Sequence, residues 1–396
     1  MTRSGSTRLS KYQIPNEFQD EYTLIRQRIN EELLEAGFIV TDGSISLPPG
    51  DAKTIYRKLH MVQRQERIES SLGLIDKWED AFISKIATPD EIRINEIEPR
   101  LRLVVTPEDR GLFNYAALTW SVPVSKGFGR RLYFLVEDKQ NDKLIGIFAL
   151  GDPVYNLSVR DNLIGWTQEE KKLRLYNVFD AFVCGALDPY RKILAGKLVA
   201  MLTTSNEISS MITNKYQANV TQISGTNKDS RPALITVTSA LGRSSIYNRL
   251  RINERYLLKS QGYTKGFGHF HFSLSLYAEL LEIAKRHPKY TGAKYGDGAN
   301  WKIRTLRQAL TLIGADNSLM QHGLNREVFL GELAPTTFEF LRGETNQLEY
   351  FQSSVHQISS YWRNRWALPR NQSENSMSGF DADNLRLSRE LSLIRK

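Results

Sequence analysis

Three groups of residues have types and spacings that could do chemistry. His269 and His271 stand two apart in the run Phe267–Leu276, which alternates over most of its length and reads as a strand. Strand side chains alternate between faces, so both imidazoles would share one face. Such a pair suits a metal, or a general base beside a phosphate. Lys265 and Gly266 next to it favour the phosphate-facing role. The other four histidines bring no companion in a recognised ligand spacing, and zinc usually needs three or four protein ligands, so no metal is expected. The second group follows the β-branched run Ala233–Leu241: Gly242-Arg243-Ser244-Ser245, then Tyr247, Arg249 and Arg251. Backbone N–H groups, hydroxyls and guanidinium groups together make a phosphate site. The competing reading is a polar turn that opens the next element. The third group is Arg160-Asp161, read as an ion pair pinning a loop rather than as a substrate clamp.

A fourth segment, Arg191-Lys192-Ile193-Leu194-Ala195-Gly196, sits near the start of a helix that follows a strand. That order resembles the GNAT acyltransferase fold, where a helix N-terminus binds the CoA pyrophosphate through backbone N–H groups. Arg191 and Gly196 fit the family pattern. Leu194 stands at its first glycine, where an isobutyl group would obstruct the anion cradle, so no cofactor is expected. Gly127-Phe128-Gly129 lacks the third glycine of a dinucleotide fingerprint and precedes a strand. The sequence contains no P-loop, GxSxG, HExxH, CxxC or kinase signature.

Charge narrows the partner. The 396 residues carry 53 Lys and Arg against 44 Asp and Glu, a formal charge of +9. Between Arg231 and Leu310 the count is 14 basic against 4 acidic residues, so this window holds an excess as large as that of the whole chain. A regional excess of this kind points to a phosphate backbone, DNA or RNA. The candidate contacts are Arg130, Arg131, Arg243, Ser244, Ser245, Arg249, Lys265, His269, His271, Arg304 and Arg307. The single Cys184 excludes a disulfide framework and a cysteine-based zinc site. The start has no apolar leader, and no apolar run approaches the ~18–20 residues of a membrane span. A cytoplasmic protein with no membrane contact is expected.

The elements that must position these residues are legible in outline. Residues 1–12 read as a flexible tail. Helical spacing predicts a helix from Pro15 to about Gly37 and a long helical region from Ala52 to Ile86, with a short hairpin between them. Thr106, Pro107, Glu108 and Asp109 mark a helix start. Leu132–Glu137 and Leu144–Leu150 form the clearest hairpin. Leu173–Ala186 and Ala233–Leu241 read as strands, and Asp188-Pro189 as the cap of a helix to Thr203. Helices are expected at Ala278–Lys285, Trp301–Ile313, Arg326–Arg342 and Leu348–Trp366. The end of the chain, 371–396, reads as a flexible tail with a terminal basic helix.

The hairpin LYFLVEDKQNDKLIGIFALGDPVY, the segments RDNLIGW and SALGRSSIYNRL, and Gly266–His271 resemble the Druantia A protein family over about residues 100–275. The resemblance implies a component of a multi-gene anti-phage system, acting with other Druantia subunits and a large helicase-like protein. It implies no catalytic residues. The expected fold is α+β: a helical N-terminal module (13–100), a mixed-sheet GNAT-like core (101–276) and a helical, basic C-terminal region (277–370). A defence subunit that contacts nucleic acid is the leading reading. An acyltransferase or divergent nuclease, and a non-catalytic scaffold, are the alternatives.

Overall fold

The structure is a computed structural model and describes residues 16–124, 129–220, 225–293, 300–373 and 377–394. The chain divides into two compact units, one of residues 1–66 and 265–325, the other of 67–264 and 326–396. The 1–12 tail, and Lys126 to Phe128 of the glycine-rich loop, lie outside the described residues.

The first unit is mainly helical. The helix Gln19–Ala36 ends at Gly37, whose φ of +98° closes the last turn in the left-handed region that glycine tolerates. The expected hairpin follows as β1 (Ile39–Thr41) and β2 (Ser44–Ser46), antiparallel around Asp42-Gly43. Two further helices, Leu274–Lys285 and Trp301–Leu312, pack as a pair. The strand expected at Phe267–Leu276 does not form. Gly266 has φ +64°, and a Cβ there would fall 2.8 Å from the backbone of Gly323. Two loops therefore meet backbone to backbone, a turn follows (Phe272 N–H to His269 O, 3.2 Å), and Ser273 caps the next helix through Leu276 N–H at 3.1 Å. Burial there does not follow the alternation: His271 and Phe272 are both buried, while Leu274 is 63% exposed.

The second unit is built on one eight-stranded sheet. Its strands are β3 (Pro99–Leu103), β4 (Arg131–Asp138), β5 (Lys143–Gly151), β6 (Val178–Ala186), β7 (Leu234–Thr238), β8 (Leu250–Ile252), β9 (Arg255–Tyr263) and β10 (Glu327–Glu332). The spatial order is β3-β4-β5-β6-β7-β10-β9-β8. Every pair is antiparallel except β6 with β7, which run parallel over Val178–Asp180 against Leu234–Thr236. A parallel pair needs a crossover, and the helices Ala195–Leu202 and Asn206–Tyr216 supply it. The fold is thus α+β with a mixed sheet.

Several sequence expectations change in detail. The long helical region after Ala52 is three helices, Ala52–Leu59, Met61–Glu69 and Leu72–Ser84. The strand expected from Leu173 starts at Val178. The residues before it form the helix Gln168–Arg174, which the Thr167/Glu170 capping box starts. The helix expected over Arg326–Arg342 is instead β10 followed by the short helix Thr337–Leu341. Its apolar run Val328–Leu330 is buried on both faces of the sheet, and a strand buried on both faces loses the alternation that identifies it. The helix expected from Leu348 starts at Val355, set by the Ser354/Gln357 capping box. The C-terminal helix Leu387–Ile394 packs through Leu387 and Leu391.

The sheet's core depends on close backbone contacts. A Cβ on Gly146 of β5 would lie 2.4 Å from the carbonyl oxygen of Gly185 on β6. Neither backbone can move without breaking the ladder, so Gly146→Ala is expected to cost about 1–3 kcal/mol. Thermal denaturation checks this; an unchanged midpoint would mean that the two strands are not so tightly apposed.

Candidate nucleic-acid interface

The basic window divides between the two units. Residues 231–264 belong to the second unit and carry six Lys and Arg against one Glu; residues 265–310 belong to the first and carry eight against three acidic residues.

In the second unit the charge rises on the edge ribbon β8–β9. The strands are joined by Asn253-Glu254, with Asn253 at φ +53°, a conformation asparagine tolerates better than most residues. Leu250 pairs with Leu258 and Arg251 with Tyr256, so Leu257 is an extra residue in β9. Leu257 and Leu258 are both buried in the core. The bulge therefore leaves Tyr256 and Lys259 exposed on the opposite face, with Arg251 directly across from Tyr256. Arg243 and Arg249 are exposed on the turn that leads into β8.

That turn is held from inside. The Glu327 carboxylate, 6% exposed, accepts the Ser244 N–H at 3.1 Å and the Ser260 hydroxyl at 2.7 Å. Lys197 Nζ donates to the carbonyls of Ser245 (2.7 Å), Ile246 (3.2 Å) and Asn248 (2.9 Å). Burial, and then the nearby Arg249 charge, bring its pKa down to about 8. Ser244 is buried and its backbone donor is already bound to a carboxylate, so it does not serve as a phosphate donor. Ser245 is exposed. The turn is thus anchored by its backbone and presents its arginines outward.

Arg130 and Arg131 behave differently. The Arg130 side chain is 8% exposed, pairs with Asp152 at 2.7 Å, donates to Tyr176 O at 2.7 Å and stacks on the rings of Tyr176 and Phe179. Arg131 is partly buried, donates to Arg130 O at 2.8 Å and sits 4.7 Å from the Phe182 ring. Burial removes Arg130 from the side chains that can meet a polyanion. The Arg160-Asp161 pair is the loop pin expected of it. Arg160 is fully buried, donates to Val154 O and Tyr155 O at 2.9 Å, and pairs with Asp161 at 2.7 Å.

The helix N-terminus at Ala195 is packed against other parts of the chain. Leu194 takes the left-handed conformation (φ +62°) that the anion cradle would ask of glycine, and its carbonyl accepts the Trp362 indole N–H at 3.1 Å. A Cβ on Gly196 would meet Ile246 at 3.5 Å, and Arg191 is paired with Asp188.

In the first unit, Lys265 and Arg307 are exposed, and the Arg307 guanidinium lies 5.2 Å from the half-exposed Phe267 ring. Arg304 is half-buried and donates to Ala293 O. His269 and His271 share no strand. His271 is 6% exposed, its Nε2 donates to Leu319 O at 2.7 Å, and its ring packs among Phe38, Phe270 and Phe272. Burial brings the pKa of each down to about 4, with Lys302 adding to the effect at His269. Both are neutral at pH 7 and supply no cation to a phosphate. Among the described residues, no group of three or more His, Cys, Asp or Glu could hold a metal ion.

Arg243, Ser245, Arg249 and Arg251 are legible as a group in the sequence, while Tyr256, Lys259 and Glu327 join them only in the fold. The available signal was the short hairpin Leu250–Leu258 around Asn253-Glu254, which lacks the usual Asn-Gly.

The histidine environment makes a pH prediction. An imidazole held at about 4, below its ordinary 6.5, stabilises the fold fully above pH 6.5, and that stability is lost as pH falls towards 4. NMR titration should therefore find His271 neutral down to about pH 4; a midpoint near 6.5 would contradict its burial.

The family model described as Druantia protein DruA matches residues 50–343. A curated Druantia protein DruA from Escherichia coli (strain UMEA 4076-1) is 42% identical over 352 residues, covering 87% of each chain. No solved structure matches. Family model and relative agree over most of the chain, including the sheet and the β8–β9 ribbon, and the chain belongs to the DruA family of Druantia proteins.

Proposed function

We propose that this chain is a subunit of a multi-gene Druantia anti-phage defence system and that it contacts nucleic acid through the β8–β9 ribbon. Membership of the DruA family supports the defence role. It also supports action alongside other subunits, with a large helicase-like protein as the expected partner. Among the described residues, no helix is long and apolar enough to cross a membrane.

One observation carries the nucleic-acid reading. Arg243, Arg249 and Arg251 are exposed on one turn and edge strand, and none pairs with a carboxylate among the described residues. Elsewhere exposed cations are divided between paired ones, such as Arg100 with Glu137 and Asp142 and Arg286 with Glu21, and ones unpaired among the described residues, such as Lys77 and Lys192; the turn and edge strand gather three unpaired guanidinium groups within nine residues. Unpaired guanidinium groups on a fixed backbone suit phosphate, because the anion displaces only water and releases counterions from the nucleic acid. Lys265 and Arg307 of the first unit offer the same chemistry.

The core's layout supports a GNAT-like reading of the fold. Strand β6, the helix Ala195–Leu202 and the parallel strand β7 follow in the order that fold uses. Acyl-CoA binding is not part of the proposal, since Leu194 stands at the first glycine of the cradle and Arg191 is paired with Asp188.

Replacing Arg243, Arg249 and Arg251 together with Glu should weaken oligonucleotide binding on the order of tenfold or more. It should also abolish phage protection in cells while leaving the thermal midpoint close to wild type. Unchanged binding would refute the interface.

A further inference from the structure

Resting on the reading above, we infer that the β8–β9 ribbon selects single-stranded nucleic acid by stacking a base on Tyr256. The Tyr256 side chain is 45% exposed on the last ribbon of the sheet. Its ring meets no other aromatic ring and no cation among the described residues. Tyr155 is equally exposed and Tyr263, at the end of β9, slightly more so, but several tyrosines of this protein, unlike Tyr256, already carry a cation on the ring. Tyr133 lies under Arg110, Tyr155 under Lys171, Tyr176 under Arg130 and Tyr216 under Lys215.

The position is fixed by the bulge. Leu257 and Leu258 both turn into the core, which holds Tyr256 outward in register with Arg251. Directly opposed residues of an antiparallel pair have their Cβ atoms about 4.5–5.5 Å apart. The Tyr256 and Arg251 side chains therefore leave the ribbon from paired positions, with Lys259 exposed farther along β9. Arg243 and Arg249 continue the charge along the turn into β8.

This spacing matches a strand whose phosphates and bases are both accessible. The cations take the backbone, and the flat ring takes one base face. A duplex presents its phosphates but keeps its base faces stacked inside, so it can use the cations and not the ring. Base–aromatic stacking tolerates any base, so the preference is for strandedness and not for sequence.

The test compares a 20-nucleotide single-stranded DNA, the same sequence as RNA, and the DNA duplex of equal length, by fluorescence anisotropy on the full chain. The single strands should bind at least about fivefold tighter than the duplex. Tyr256→Ala should remove that advantage, and Tyr256→Phe should keep it. Lys259→Glu should weaken all three probes. Tighter DNA than RNA, or the reverse, identifies the physiological strand and supports the inference either way. Duplex binding as tight as single-strand binding, or equal behaviour of the Ala and Phe variants, overturns the single-strand inference. If Lys259→Glu still weakens every probe in that case, the nucleic-acid reading stands. Absence of binding to any probe overturns both.

Discussion

One buried carboxylate fixes the surface on which the functional reading depends. Glu327 opens β10, and its side chain takes the Ser244 N–H and the Ser260 hydroxyl. Its backbone accepts from Ser239 N–H at 2.8 Å and donates to Gly242 O at 3.3 Å. A single residue thus joins the end of β7, the Gly-Arg-Ser-Ser turn and β9. A buried acceptor with such partners is worth more than an exposed ion pair, because removing a partner leaves it unsatisfied away from water. Lys197 completes the arrangement from the other side by binding three carbonyls of the same turn. The turn that resembles an anion cradle is already filled by the protein's own anion. What it offers outside is rigid backbone carrying arginines.

The same division between inside and outside runs through the other charges. Arg130, Arg160 and Lys171 are buried, and each is satisfied by carbonyls, a carboxylate or an aromatic face. They contribute to the +9 of the sequence and nothing to a surface field. Net charge counts both kinds alike. Location within the fold separates cations that hold loops from cations that await a partner.

How far the sequence could be read follows from the kind of signal each segment carries. The β4–β5 hairpin and the Thr106 helix start were legible because alternation and capping are local. So was the group Arg243 to Arg251. The irregular loop at Gly266–Ser273 was not, because its shape comes from a backbone approach to Gly323, distant in sequence. Strand β10 was misread because burial on both faces erases the period-2 pattern. Strands β3, β8 and β9 are illegible for other reasons: β3 and β8 are only five and three residues long, and the bulge at Leu257 breaks the rhythm of β9. Nothing in the sequence marks Glu327, since only the fold brings Ser244 and Ser260 to it. The two histidines share a sequence pattern, but the fold buries His271, half-buries His269 and places neither on a strand.

The central claim, that exposed cations of this chain meet a phosphate backbone, is tested most directly by the salt dependence of its affinity for single-stranded nucleic acid. With four contacts from Arg243, Arg249, Arg251 and Lys259, log K should fall linearly with log salt at a slope of about −3. A slope near zero would contradict the account.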